Sequence, residues 1–251
     1  MRSNDPYVSF TAAVKQGTLW RINELLDNGR VDVNLSHPAM GNGKTALHVA
    51  SENHQSGVAL LLLDRGADIT AMDDSGNTAL HLCTPAIARL LLRRGAFIEE
   101  KNDDGLTPLL LACKQWNVHM YNFFLDEGAD VNMKDNEGNA PLHYACSGNR
   151  TDGAQIFLNR GADMNATNRT NLTPLHHACQ HGCSTVVSLL LDRGVDVEAK
   201  TINKMTALDL ACHNNHFQVV WLLISRFPWL VLGRPSPAAA ETQKKKKQRL
   251  C

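Results

Sequence analysis

Thr45-Ala-Leu-His48 returns as Thr78-Ala-Leu-His81, Ala140-Pro-Leu-His143 and Thr173-Pro-Leu-His176 in a chain of 251 residues. Looser copies stand at Thr107-Pro-Leu-Leu110 and Thr206-Ala-Leu-Asp209. Successive copies lie 33, 29, 33, 33 and 33 residues apart. A period of this length restricts the chain to architectures in which one small unit stacks on the next. A second block follows each copy: LLLDRGADI (61–69), LLLRRGAFI (90–98), FFLDEGADV (123–131), IFLNRGADM (156–164) and LLLDRGVDV (189–197). Leu25-Leu-Asp-Asn-Gly29 before Val31-Asp-Val-Asn34 is an earlier, looser copy.

Each unit carries its own punctuation. Asp73-Asp-Ser-Gly76, Asp103-Asp-Gly105 and Asp135-Asn-Glu-Gly138 are turn signals. The Thr after each turn is placed to cap a helix, and Pro at the next position suits a first helical turn. A short apolar-periodic stretch follows, such as Leu175 to Gln180, then a second from Val186 to Asp192 that stops at Gly194, where a positive φ is expected. The unit therefore reads turn, helix, short turn, helix, glycine stop.

The pattern G-x-T-P-L-H-x-A-C followed by L-L-L-D-x-G-A-D-V resembles the ankyrin repeat. The likeness covers residues 8–232, with six clear copies and a degenerate seventh at Phe10-Thr-Ala-Ala-Val-Lys-Gln-Gly17. It implies an all-α solenoid of stacked helix-turn-helix units with short β-hairpin-like turns, preceded by a lead at 1–7 and followed by a basic tail at 233–251. One such unit buries too little apolar area to offset its chain entropy, whereas stacked units cover each other's faces. Leu47, Leu80, Leu109, Leu142, Leu175 and Leu208 then form one core column, and the concave side carries turn tips and first-helix residues.

Composition narrows the function classes. The longest unbroken apolar run is six residues, as in Val58 to Leu63, against the ~20 that a membrane-spanning helix needs. The first twenty residues hold no apolar block of a secretory signal, so neither a membrane role nor export is expected. The formal net charge of zero hides an asymmetry. Residues 233–251 hold six basic groups (Arg234, Lys244 to Lys247, Arg249) and one acid, while the rest holds 19 basic groups against 24 acidic. An acidic body does not attract nucleic acid, which leaves at most weak contact through the tail. The block from Lys244 to Arg249 reads equally as a solvated, disordered terminus or as a nuclear import signal. Cys113, Cys146, Cys179 and Cys212 recur at 33 and so fill one slot in four units. Helices ~8–10 Å apart hold such thiols too far apart for disulfides. They are expected to pack as small apolar groups, which fits a cytoplasmic or nuclear location.

Two irregularities break the period. The unit from Thr78 is four residues short, with Pro85 read as interrupting its first helix, which predicts a local distortion. Extra residues around Leu35 to Asn42 predict a longer loop. No catalytic set stands out. His176-His-Ala-Cys-Gln-His-Gly-Cys183 has metal-ligand residue types, but His176 and Cys179 belong to repeat columns and read as structural. In the family, the column of His48, His81, His143 and His176 resembles a hydrogen-bonding device between adjacent turns. Gly41-Asn-Gly-Lys-Thr45 lacks the first glycine of a phosphate loop, having Pro38 there, and no strand precedes it. Ser184 and Ser188 lie near His181 only by chance expectation. The sequons at Asn149, Asn168 and Asn171 lack a secretory context. For Asn34, Asn132 and Asn165 the resemblance implies hydroxylation or, more simply, hairpin hydrogen bonds.

No cofactor, metal, catalytic residue or small-molecule substrate is expected. The resemblance implies a non-enzymatic adaptor or regulator that binds a partner protein on its concave face. Carried over residue by residue, the contact set is Met72, Asp74, Ser75 and Asn77; Lys101, Asp103, Asp104, Leu106, Lys114 and Gln115; Asn136, Glu137, Asn139 and Ser147; and Arg169, Thr170, Leu172, Gln180 and His181. Trp116 stands where the pattern has a small glycine, as at Gly182; it reads either as an interface anchor or as packing on the next repeat. Phe227-Pro-Trp-Leu-Val-Leu-Gly233 is apolar where a terminal unit should turn polar. It is read as a fold-back over the open end, as an interface, or as the mark of a chain cut from something longer. The alternatives to an adaptor are a nuclear or nucleic-acid-associated factor acting through the tail, and the repeat segment of a larger multidomain protein.

Overall fold

The computed structural model describes residues 5–232. The tail 233–251, with the Lys244–Arg249 block, lies outside the described residues, as do residues 1–4 of the lead. Two compact units divide the chain, Met1–Asn136 and Glu137–Cys251.

The first unit is four helix pairs. They are α1 (Pro6–Gln16) with α2 (Leu19–Asp27), α3 (Ala46–Glu52) with α4 (Ser56–Asp64), a single 3₁₀ turn (Ala79–Leu82) with α5 (Pro85–Arg93), and α6 (Pro108–Lys114) with α7 (Val118–Asp126). Two rows result. α1, α3, the 3₁₀ turn and α6 pack in succession, and α2, α4, α5 and α7 do the same behind them. The degenerate N-terminal copy is thus a complete pair. Its Phe10, Val14, Ile22 and Leu25 are buried against the next pair, each contributing roughly 1.5–3 kcal/mol of apolar burial.

The second unit is three pairs: α8 (Pro141–Ser147) with α9 (Thr151–Asn159), α10 (Pro174–Gln180) with α11 (Ser184–Asp192), and α12 (Ala207–His213) with α13 (Phe217–Arg226). A short α14 (Trp229–Leu232) follows and packs back on α13, with Phe227 and Trp229 edge to face at 5.1 Å. α8, α10 and α12 form one row, α9, α11 and α13 the other.

Local sequence explains the element ends. Threonine at 45, 78, 107, 173 and 206 holds an extended N-cap conformation, and Pro108, Pro141 and Pro174 occupy the first helical turn. Their missing N–H is one that no helix would have used. Gly66, Gly95, Gly128, Gly161 and Gly194, just past the second helices, all have φ between 78° and 94°. All six members of the leucine column are buried.

Two expectations are corrected. Pro85 does not interrupt a helix; it opens α5, and the four missing residues leave the first helix of that pair as one 3₁₀ turn. Cys113, Cys146 and Cys179 are buried, but Cys212 is exposed, because no described pair follows α12 and α13 to cover it. The hairpins carry no assigned strand among the described residues. Each is closed by one backbone bond, for example Asp73 N–H to Asn77 O at 2.9 Å and Asn168 N–H to Leu172 O at 3.1 Å. No helix forms between Asp27 and Ala46, where the longer loop was expected; its Met40 is buried and His37 stacks on Tyr7 at 4.9 Å.

Candidate protein-binding surface

The hairpin tips are built from asparagine and aspartate because these side chains fold a turn onto themselves. Asp73 Oδ1 accepts from the N–H groups of Ser75 and Asn77, Asn102 Oδ1 from Asp104 and Leu106, and Asn168 Oδ1 from Thr170 and Leu172, all within 2.9–3.1 Å. Successive tips are then linked by single backbone bonds. In the first unit Asp74 N–H donates to Asn42 O (3.0 Å), Asp103 to Ser75 O (3.1 Å) and Asn136 to Asp104 O (3.1 Å). In the second, Arg169 donates to Glu137 O (2.9 Å) and Ile202 to Thr170 O (3.2 Å). This ladder uses the tip backbone, and Asp74, Ser75, Asp103, Asp104, Asn136, Glu137, Arg169 and Thr170 at the tips are exposed.

Beneath it runs the histidine column. His48 Nδ1 takes the Thr45 N–H at 3.2 Å and lies 2.9 Å from the Thr45 hydroxyl, so Nε2 carries the proton and donates to Asn77 O at 2.9 Å. His81 repeats this with Thr78 and Leu106 O (3.0 Å), and His143 with the N–H of Ala140 and Leu172 O (3.2 Å). Ala140 has no hydroxyl to add. His176 makes the Thr173 contacts, while its Nε2 is buried without a hydrogen-bond partner among the described residues. Burial holds His48, His81 and His176 below the usual imidazole range. Asp209 replaces the histidine in the last pair, and its carboxylate accepts from both the Thr206 N–H and hydroxyl at 2.8 Å. A shorter acceptor suits a position with no following tip to reach.

The residues of the His176–Cys183 cluster have separate tasks. His176 caps α10, Cys179 lies in the core, and the rings of His177 and His181 stack at 6.3 Å. Cys183 is buried against backbone carbonyls. In the 41–45 segment Lys44 pairs with Glu52 at 2.9 Å and Thr45 caps α3, so both side chains are committed. Asn34 and Asn165 accept from the N–H of Asp68 (2.7 Å) and Asp196 (3.0 Å) one repeat on, which is a structural tie.

The family model described as ankyrin repeats (3 copies) matches residues 10–102, 84–168 and 155–228. The chain belongs to the ankyrin repeat family. A solved ankyrin repeat domain of Bcl-3, described as a unique member of the IkappaB protein family, is similar at 29% identity with a TM-score of 0.75. The match covers 86% of this chain and 97% of that one. No curated protein matches. The fold is thus the all-α ankyrin-repeat solenoid, a module that binds protein partners. No helix among the described residues is long and apolar enough to cross a membrane.

Against this ankyrin framework the carried-over contact residues sort by exposure. Met72, Asp74, Ser75, Lys101, Asp103, Asp104, Lys114, Gln115 and Asn136 are exposed in the first unit; Glu137, Arg169, Thr170, Gln180 and His181 are exposed in the second. Leu106 must be removed from the set: it is 1% exposed, its N–H donates to Asn102 Oδ1, and its carbonyl accepts from His81 Nε2. Asn77, Asn139 and Leu172 are half-buried and committed inward, Asn77 and Asn139 accepting from Asn102 and Asn168 Nδ2. Ser147 is half-buried and donates to Tyr144 O. Trp116 is half-buried at φ 57°, in the same left-handed slot as His54, Asn149, Gly182 and Asn215.

One feature of this surface escaped sequence reasoning. Eleven residues of the first unit surround a hollow of about 430 Å³, among them the contact candidates Asp74, Ser75, Asp103, Asp104, Lys114 and Gln115. A neighbouring hollow of about 270 Å³ shares Leu82 and Gln115 as walls. The signal was the 29-residue step, which marks the missing helical turn beside them.

Proposed function

We propose that this chain is a non-enzymatic adaptor or regulator that holds a partner protein on the tip side chains and first-helix ends of its ankyrin repeats. One observation carries the reading. The tip backbones are consumed by the ladder while charged and polar side chains at the same positions point to solvent. Positions so fixed in the backbone, with exposed side chains, supply pre-organised contact area. The likeness to the Bcl-3 ankyrin domain, a member of the IkappaB family by its description, supports a regulatory binding role. The buried free thiols of Cys113, Cys146 and Cys179 support a cytoplasmic or nuclear setting. The tail from Lys244 to Arg249 is proposed to act in targeting rather than in gripping the partner. The lead, repeat region and tail are proposed as the three segments 1–7, 8–232 and 233–251.

The test is affinity capture with the full chain beside Asp103→Lys and Arg169→Glu variants of unchanged melting temperature. A protein retained by the parent and lost from a variant supports the reading. Retention of the same proteins by all three, or of none by any, contradicts it.

A further inference from the structure

The third repeat carries a notch where its first helix is cut to a single 3₁₀ turn. Residues Ala50–Asn53 in the second repeat and Ala112–Gln115 in the fourth form the last turn of the first helix and its cap, but the third passes from Leu82 directly to Cys83 and Thr84. The neighbouring repeats do not close the gap. They leave the two hollows that meet at Leu82 and Gln115. Apolar side chains lie among the walls: Leu82 and Leu111 are half-buried there, beside buried Leu106 and Phe124.

The rim is acidic. Asp74, Asp103, Asp104 and Glu52 face Lys114 as the one fixed cation among the lining residues. Lys114 pairs with Asp104 at 3.3 Å, and Glu52 is matched by Lys44. The carboxylates of Asp74 and Asp103 receive no ion pair or hydrogen bond among the described residues, although their N–H groups are locked in the ladder. Two unmatched carboxylates on fixed backbone, beside the apolar walls of Leu82 and Leu111, complement a side chain with a cationic head on a hydrocarbon stem.

We propose that this notch is the specificity pocket of the partner-binding surface, and that it takes an extended segment of a partner protein presenting an arginine or lysine flanked by apolar side chains. The proposal rests on the partner-binding reading above. The basic head sits between Asp74 and Asp103, and its stem and apolar neighbours fill the space of the missing turn.

The test is selection of a random peptide library displayed on phage against the full chain, followed by titration of the enriched peptides as synthetic peptides. Two variants are compared with the parent. Asp74→Lys with Asp103→Lys reverses the rim, and insertion of Ala-Ser-Glu-Asn between Leu82 and Cys83 restores the turn. Their folding is checked by circular dichroism and melting temperature. The expected result is enrichment of basic residues with apolar neighbours, with affinity about tenfold or more weaker in both variants and weaker at higher salt. The two variants perturb different things, so one that misfolds leaves the other decisive. Enriched peptides that lack a basic residue, or that bind both variants as well as the parent, overturn the notch while leaving a protein-binding surface elsewhere intact. No enrichment at all counts against the notch and the broader reading together.

Discussion

At the residue scale, the tip glycines show how tightly the ladder is set. Gly105 has φ +74°, and a Cβ there would lie 2.6 Å from the Asn136 backbone nitrogen, inside the ladder. Gly66 has φ +82° but open space around it. Gly66→Ala is expected to cost about 1 kcal/mol for the left-handed backbone alone. Gly105→Ala should cost at least about twice that, because the backbone of the next tip must move. Urea denaturation compares the two, and equal costs would show that the ladder is not rigid. The histidines give a pH signature. Since burial depresses the folded-state affinity of His48, His81 and His176 for protons, the unfolded chain binds more protons just below its own value of about 6.5. Stability is therefore full above that pH and falls as pH drops through 6.5 towards the depressed folded values. The urea midpoint should decrease between pH 7.5 and 5.5, and the decrease should shrink in His48→Gln. A midpoint that is flat or rising over this range contradicts the assignment of neutral, Nε2-protonated rings.

At the element scale, the cysteine column tests what neighbouring repeats do for each other. Ser51 occupies the column in the second repeat, fully buried, with an Oγ that has no hydrogen-bond partner among the described residues. Burying an unpaired hydroxyl costs roughly 1–3 kcal/mol, so Ser51→Cys should raise stability by about 1 kcal/mol. The reverse change, Cys179→Ser, should lower it by a similar amount or more, since that thiol is also fully buried. Calorimetry reads both, and a destabilising Ser51→Cys would mean the slot is shaped for oxygen. Much of this scale was legible in advance. The threonine caps, the glycine stops and the leucine and histidine columns follow from local rules that recur at fixed spacing, and each is where the repeat put it. Pro85 was misread because a proline inside an apolar stretch is equally a helix breaker and a helix opener. Only the position of the following helix decides. Leu106 was misread because position in the pattern gives the backbone site, not the direction of the side chain; the buried face of the hairpin lies between two repeats and is invisible from one.

At the scale of the whole molecule, the repeats behave as links whose faces are sealed by their neighbours, and the last described link is unsealed. Cys212 is exposed where Cys146 and Cys179 are buried, and Phe217 and Trp221 on α13 are 75% and 71% exposed. In a Cys251→Ser background, one thiol should react within seconds with a disulfide reagent under native conditions. Cys212→Ser should abolish that phase, and the remaining thiols, of which Cys83 is pushed up to about 12 by burial, should react only as the chain opens. A second fast thiol would place the unsealed face elsewhere. The candidate site was legible only in outline. The exposed tip residues follow from the repeat, whereas the notch arises from a deletion whose consequence depends on how the flanking repeats respond.

The most direct test of the account is site-specific photo-cross-linking in cells, with a photoreactive residue placed singly at Asp103, Gln115 and Arg169 on the tips and first-helix ends, and at Arg93 and Arg193 at the C-terminal ends of second helices. The prediction is a discrete protein adduct from the first three positions and none from the last two. Adducts only from Arg93 and Arg193, or none from any position, would contradict a chain that works by gripping a partner on its ladder side.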